Sequence, residues 1–164
     1  MDNQKQNLLP DRYQVVPRTL IFIRNDDEIL LLKGAVDKKN WPGLYNGIGG
    51  HIERGEDAIS AAQRELFEET GLENIHLDLR AIIFIDVEEH QGISMFVFLG
   101  NSNKKALISS EEGIIDWIKI DRIHNFPLVE DLYQLIPMVL STEKNIQFGR
   151  YYYNDRKLVM EFNK

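Results

Sequence analysis

Two kinds of apolar pattern alternate along the chain: short β-rich runs bounded by turn residues, and stretches whose apolar positions recur at helical spacing. Residues 19–23 and 29–33 are of the first kind, and Asn25-Asp26-Asp27-Glu28 between them predicts a hairpin with acidic residues in the turn. Residues 77–87 and 93–99 predict two further strands joined across the polar segment 88–92, and 113–120 a short one around Trp117. Residues 146–153 and 157–162 predict a closing hairpin over Asn154-Asp155-Arg156. Segment 34–45 has too much Gly, Pro and Lys for a regular element and reads as a surface loop, as does 104–110. Residues 1–11 are polar and aperiodic and read as a loosely held arm.

Helical spacing occurs twice. Across 57–70, Ala58, Ala61, Ala62 and Leu66 form an apolar stripe with Ile59 nearby, and Gly71 is placed to supply a left-handed cap, with Leu72 folding back onto the helix end. Across 130–140, Leu132, Leu135, Ile136 and Val139 share a face, although Pro137 demands a kink or an early end. The Gly-rich segment 46–52 carries Ile48 and Ile52, which predicts a short strand where backbone approaches something closely. Strands interrupted by two helices indicate an α/β (α+β) layered fold with a mixed sheet. With no repeat or linker to divide 164 residues, one domain, 1–164, is expected.

Charge and composition then exclude function classes. A net charge of −7 argues against a protein that grips DNA or RNA, because such binding relies on Lys and Arg neutralising phosphates. A free nucleotide stays open, since metal ions can neutralise its phosphates. Without Cys there is no disulfide, thiolate metal site or cysteine nucleophile. The polar N-terminus lacks a signal-peptide h-region and no apolar run approaches bilayer length, so a cytoplasmic protein with no membrane partner is expected.

The concentrated chemistry lies on the first helix. Glu65, Glu68 and Glu69 stand at i, i+3 and i+4, which places all three on nearly one face. Most acidic clusters of this size are solvated faces, but like charges so close repel, and an oxygen-seeking divalent cation would offset the repulsion. Gly47, Gly49 and Gly50 just before the helix allow a main-chain carbonyl to come near that face. Arg64 can pair with Glu56 or touch a phosphate; as the neighbour of Glu65 on a helix it is expected to point about 100° away from it. Four histidines, His51, His76, His90 and His124, show no metal-ligand spacing, and only His51, beside Gly50, is placed to approach a phosphate.

Gly50, Glu56, Arg64-Glu65-Leu66, Glu68-Glu69 and Gly71-Leu72, at these spacings, resemble the signature box of the Nudix hydrolases at every defining position. The resemblance implies an α/β/α sandwich around a mixed sheet and hydrolysis of a nucleoside diphosphate linked to another moiety. It also implies Mg²⁺, with Mn²⁺ as a substitute, held by Glu65, Glu68, Glu69 and the Gly49 carbonyl, with Glu56 and Arg64 as a structural brace. Residues 45–51 are similar to the matching strand of the oxidised-purine nucleoside triphosphatases within that family, which implies that Asn46 contacts the base. By the same likeness Glu112, five residues before Trp117, is an accessory metal-binding or base-activating residue, and Glu130-Asp131 a pair that reads the purine edge. The hairpin at 148–162 is similar too. Glu130 departs from the Asp expected there, and Leu128 stands where an aromatic would stack on the base. Trp41, Phe22, Phe84, Phe96 and Tyr133 are candidates for the flat wall of a base site.

The function so implied is Mg²⁺-dependent hydrolysis of a nucleoside triphosphate to the monophosphate and pyrophosphate, sanitising oxidised purine nucleotides of the 8-oxo-dGTP type. Alternatives are another diphosphate substrate, such as a nucleotide sugar or dinucleoside polyphosphate, and a non-catalytic nucleotide-sensing module. The partner in each case is a small nucleotide, with no nucleic-acid polymer, and a homodimer is left open.

Overall fold

The computed structural model describes residues 11–37, 41–105, 113–143 and 145–163. Outside them fall residues 1–10 of the expected arm, 38–40 and 106–110 of the two expected loops, and the candidate Glu112.

β1 (Gln14–Asn25) and β2 (Glu28–Gly34) form the expected antiparallel hairpin, with Ile23 opposite Leu30 and Asn25 opposite Glu28. Asp26 turns the corner at a φ of 49°, a left-handed conformation that short polar side chains tolerate. β5 (Gln91–Asn101) lies parallel to β1 along its whole length, and β4 (Leu77–Glu88) returns antiparallel to β5. β7 (Gln147–Asn154) adds parallel to β4 and closes in the expected hairpin with β8 (Lys157–Asn163). β6 (Gly113–Lys119) pairs antiparallel with β2. With the two-residue β3 (Tyr45–Asn46), the result is one mixed sheet of eight strands, ordered β3-β2-β1-β5-β4-β7-β8, with β6 on β2.

Because side chains alternate along a strand, β1 feeds two cores. Leu20 and Phe22 pack with Leu132, Leu135, Ile136 and Val139 of α2 (Leu132–Val139), while Ile21 and Ile23 pack with Ala62 and Leu66 of α1 (Ala58–Thr70). The sheet is therefore covered by a helix on each face, the α/β/α sandwich. Pro137 falls in the last turn of α2 and is exposed, so it removes one hydrogen bond near an end instead of splitting the helix. Among the described residues no helix is long and apolar enough to cross a membrane.

The short strand expected at 46–52 is broken into pieces. β3 is only Tyr45–Asn46, paired with Leu32 and Lys33 of β2; beyond it Ile48 and His51 make isolated bridges to Ile21 and Arg18 of β1. Residues 45–51 thus cross from β2 to β1, filling the fork where the two strands part beyond their hairpin pairing. Gly49 makes the crossing at a φ of 152°, and a Cβ there would run into the Thr19 carbonyl. Hydrogen bonds from Thr19 N–H to the Gly50 carbonyl (2.9 Å) and from Ile21 N–H to the Ile48 carbonyl (2.7 Å) hold this backbone under the acidic helix.

Candidate active site

Helix α1 is fixed in phase at both ends. Asp57 caps its start by accepting from Ser60 N–H (2.9 Å), and Gly71, at a φ of 71°, donates its N–H to the Phe67 carbonyl (2.8 Å). With Ala61, Ala62 and Leu66 buried against the sheet, Glu69 is also buried and Glu65 half-buried, while Glu68 is exposed. The three carboxylates of the predicted acidic face therefore stand in three different environments.

Arg64 joins them. Its Nε and Nη2 donate to the two Glu56 oxygens (2.7 and 2.9 Å), and its Nη1 to Glu65 (2.8 Å) and Glu68 (3.2 Å). Nη2 also reaches the His51 carbonyl (3.1 Å), and Glu56 accepts from Glu53 N–H (3.0 Å), so the loop 51–56 is tied to the helix. The expectation that Arg64 points away from Glu65 is corrected: a four-carbon-reach side chain with a five-donor fork curls back to its neighbour although its Cβ does not face it. Arg64, followed by the Glu53 amide, pulls the Glu56 carboxyl down to about 2, and the hydrogen bonds that Arg64 donates to Glu56 and then Glu65 raise its own pKa in turn.

Gly49, Gly50, Glu65 and Glu69 line one cleft of about 500 Å³, with His51 and Asn46 at its side. A Cβ at Gly50 would run into the carboxylate of Glu65, so only glycine lets that side chain lie flat on the main chain. Among the described residues no three acidic or histidine side chains already stand together as a metal cage, and Arg64 engages both Glu65 and Glu68. The carboxylates of Glu65 and Glu69 that line the cleft nevertheless supply oxygen donors, which suit a hard divalent cation such as Mg²⁺ or Mn²⁺.

A second cavity, of about 270 Å³, opens on the α2 side of the sheet. Its walls are mainly aliphatic, with Trp41 among them, and its polar groups are Arg18, Asn46, Glu130, Asp131, Tyr151 and Tyr153. Asn46 uses its Oδ1 to accept from Gly47 N–H (2.8 Å), which leaves its –NH₂ for a ligand. Burial pushes the Asp131 carboxyl up to about 6, with Glu130 adding a smaller effect, and Glu130 itself stands exposed at the rim. The buried Tyr151 hydroxyl has no hydrogen-bond partner among the described residues.

Of the five aromatics expected to build a base wall, only Trp41 lines this cavity. Phe22 is fully buried in the core, Phe84 is exposed, and Phe96 packs on the α1 side. Tyr133 is occupied locally, its hydroxyl donating to the Phe126 carbonyl and accepting from Leu128 N–H, its ring stacked on His124. Leu128 is likewise a core residue, bridging to Tyr45. Three polar lining residues were missed in the sequence: Tyr151 and Tyr153, indistinguishable there from their neighbour Tyr152, and Arg18, whose signal was a charge in phase with apolar Leu20 and Phe22.

The NUDIX domain profile matches residues 15–139. The chain belongs to the Nudix family. It is similar to the uncharacterized Nudix hydrolase YvcI of Bacillus subtilis, 31% identical over 115 residues covering 67% of this chain and 70% of that one. It is also similar to the oxidized purine nucleoside triphosphate hydrolase of Mus musculus, 26% identical over 147 residues covering 88% of this chain and 91% of that one. Its fold matches that of a MutT protein from Bacillus halodurans with a TM-score of 0.77 and 22% identity, over 91% of this chain and 98% of that one. As a Nudix hydrolase, the chain is an enzyme acting on phosphoric anhydrides. Nudix enzymes work with divalent metal cations.

Proposed function

We propose that this Nudix hydrolase, working as one cytoplasmic domain, carries out Mg²⁺-dependent hydrolysis of a nucleoside triphosphate to the monophosphate and pyrophosphate, with an oxidised purine as the base. The observation that supports this reading is the junction of two unlike cavities. Arg18, Leu20, Trp41, Asn46 and Met95 line both, so an oxygen-lined acidic cleft continues into an aliphatic pocket. Phosphates with their cation suit the first, and a flat base with polar edges suits the second.

Glu65, Glu68 and Glu69 with the Gly49 carbonyl would hold the cation, and Glu112 joins them on the strength of the family resemblance. When bound, the cation neutralises the phosphates and lowers the pKa of a water that attacks phosphorus. Arg64 and Glu56 keep the loop and helix in register, and His51 faces the phosphates from the side of the cleft. In the pocket, the Asn46 –NH₂ donates to an acceptor on the base. Asp131 donates an O–H while protonated, below about pH 6, and accepts an N–H above it. Glu130 supplies a second acceptor at the rim. An 8-oxopurine, with a carbonyl and an added ring N–H, offers both partners. The mouse relative carries the name of such an enzyme.

The test is a panel of dGTP, dATP, 8-oxo-dGTP, ADP-ribose and diadenosine tetraphosphate with Mg²⁺, scored for monophosphate and pyrophosphate. The expected result is the highest kcat/KM on 8-oxo-dGTP. No turnover of any of these, with Glu68→Gln and Glu69→Gln behaving as the parent, overturns the reading. Turnover confined to ADP-ribose or the dinucleotide keeps the chemistry and overturns the substrate.

A further inference from the structure

Arg18 stands at the neck between the two cavities. It is the sole Lys or Arg among the described residues that lines either of them. Its position on β1 puts it on the side of Leu20 and Phe22, facing the aliphatic pocket, and its backbone bridges to His51 beside the acidic cleft.

What sets this side chain apart is a buried donor without a partner; Arg12, Arg54, Arg122 and Arg156, also unengaged among the described residues, are exposed. Arg64 and Arg150 each hold a carboxylate, and Arg80 donates to two main-chain carbonyls. The Arg18 guanidinium makes no ion pair and no hydrogen bond among the described residues, and its Nε is buried without a partner. An N–H buried without a partner costs stability, and a bound ligand is one way in which such a group is completed. An isolated cation between an acidic cleft and an apolar pocket matches one feature of a nucleotide: an anionic group next to the nucleoside, separate from the outer phosphates that share the cleft with the cation.

We propose that Arg18 is a substrate-binding residue that holds the phosphate attached to the nucleoside, the phosphate retained in the monophosphate product. This deepens the function proposed above and rests on it for the orientation of the nucleotide. The guanidinium fork meets the non-bridging oxygens of that phosphate with two N–H donors, in the paired geometry that Arg makes with phosphate. Arg18 then anchors the nucleoside half at the neck, and pyrophosphate leaves from the cleft without passing it.

The test is calorimetric binding in EDTA, with no hydrolysis. dGMP, dAMP and 8-oxo-dGMP are compared with their nucleosides on the parent, Arg18→Met and Arg18→Lys. The expected result is that at least one monophosphate binds the parent more tightly than its nucleoside, that Arg18→Met weakens that monophosphate about ten- to a hundredfold, and that nucleoside affinity is unchanged. Arg18→Lys, which keeps the charge and loses the fork, should recover part of the loss, and pyrophosphate binding in Mg²⁺ should be the same in all three. Equal weakening of monophosphate and nucleoside would place Arg18 on the base and overturn the proposal. So would parent-like affinities in Arg18→Met, or no preference of the parent for any monophosphate. Because binding is read without turnover, these outcomes are separate from a failed hydrolysis panel. Arg18→Met removes an unsatisfied donor, so a melting midpoint close to the parent's is expected and confirms that the variant is folded.

Discussion

The two faces of the sheet meet the same neck with different construction. On the α1 side the chemistry is local: Gly50, Glu56, Arg64, Glu65, Glu68 and Glu69 lie within 20 residues, and one arginine ties Glu56, Glu65 and Glu68 together. On the α2 side the pocket draws Arg18 from β1, Asn46 from β3, Met95 from β5, Asp131 from the start of α2 and Tyr151 from β7. A helix and its preceding loop are enough to set the spacing of carboxylates around a cation. Recognition of a base needs groups converging from several directions, which no single element provides.

The difference predicts that the two regions fail in different ways. The largest effect belongs to the local side. Glu65→Gln keeps the volume and the contact with Arg64 but removes the charge proposed to meet the cation, and kcat/KM in Mg²⁺ should fall about a hundredfold or more, near 3 kcal/mol of barrier. The melting midpoint should stay close to the parent's. If activity survived while the midpoint dropped, the acidic face would be structural and the contrast would collapse.

Next comes a stability gain on the dispersed side. The Asp131 carboxyl ionises at about 6 in the folded protein against 3.8 for the free group, because burial disfavours its charged form. Below pH 3.8 both states keep the proton and nothing is lost. As pH rises from 3.8 to 6 the unfolded chain releases it first, so folding weakens, and above 6 the full cost of up to about 3 kcal/mol is present. Asp131→Asn should therefore stabilise the protein at pH 7.5 in urea unfolding, show no gain at pH 3.5, and lose turnover of the purine nucleotide proposed as substrate. A gain at neutral pH with unchanged turnover would remove Asp131 from the recognition site.

The smallest effect tests whether the local side depends on its helix as a rigid support. Asp57→Ala deletes the N-cap and should cost about 1 kcal/mol in unfolding while leaving KM for nucleotide unchanged. A large loss of activity from this change would show that helix phase, and not only carboxylate identity, sets the site.

The sequence carried the hairpins, the capped acidic helix and the box residues, because each is written in neighbours: turn residues between β-rich runs, a 3.6-residue stripe, a glycine after it. It went astray where a residue's place depends on distant partners. Arg64 was expected to diverge from Glu65, but its long arm folds back once Glu56 is brought close. A short strand was expected at 46–52, but Gly49 bends it across a fork that exists only after β1 and β2 part. Four of five candidate wall aromatics went elsewhere, since strand parity and helix packing decide which face an aromatic meets.

By itself, then, the sequence determined which groups could do phosphoryl chemistry, because spacing along one helix is a local property that 3.6 residues per turn converts directly into geometry. Only the tertiary structure decided that the acidic cleft opens into an aliphatic pocket and that an unengaged Arg18 stands between them. That juxtaposition depends on sheet order, with β1 set beside β5 and spanned by residues 45–51, and sheet order follows from long-range pairing that no local pattern records.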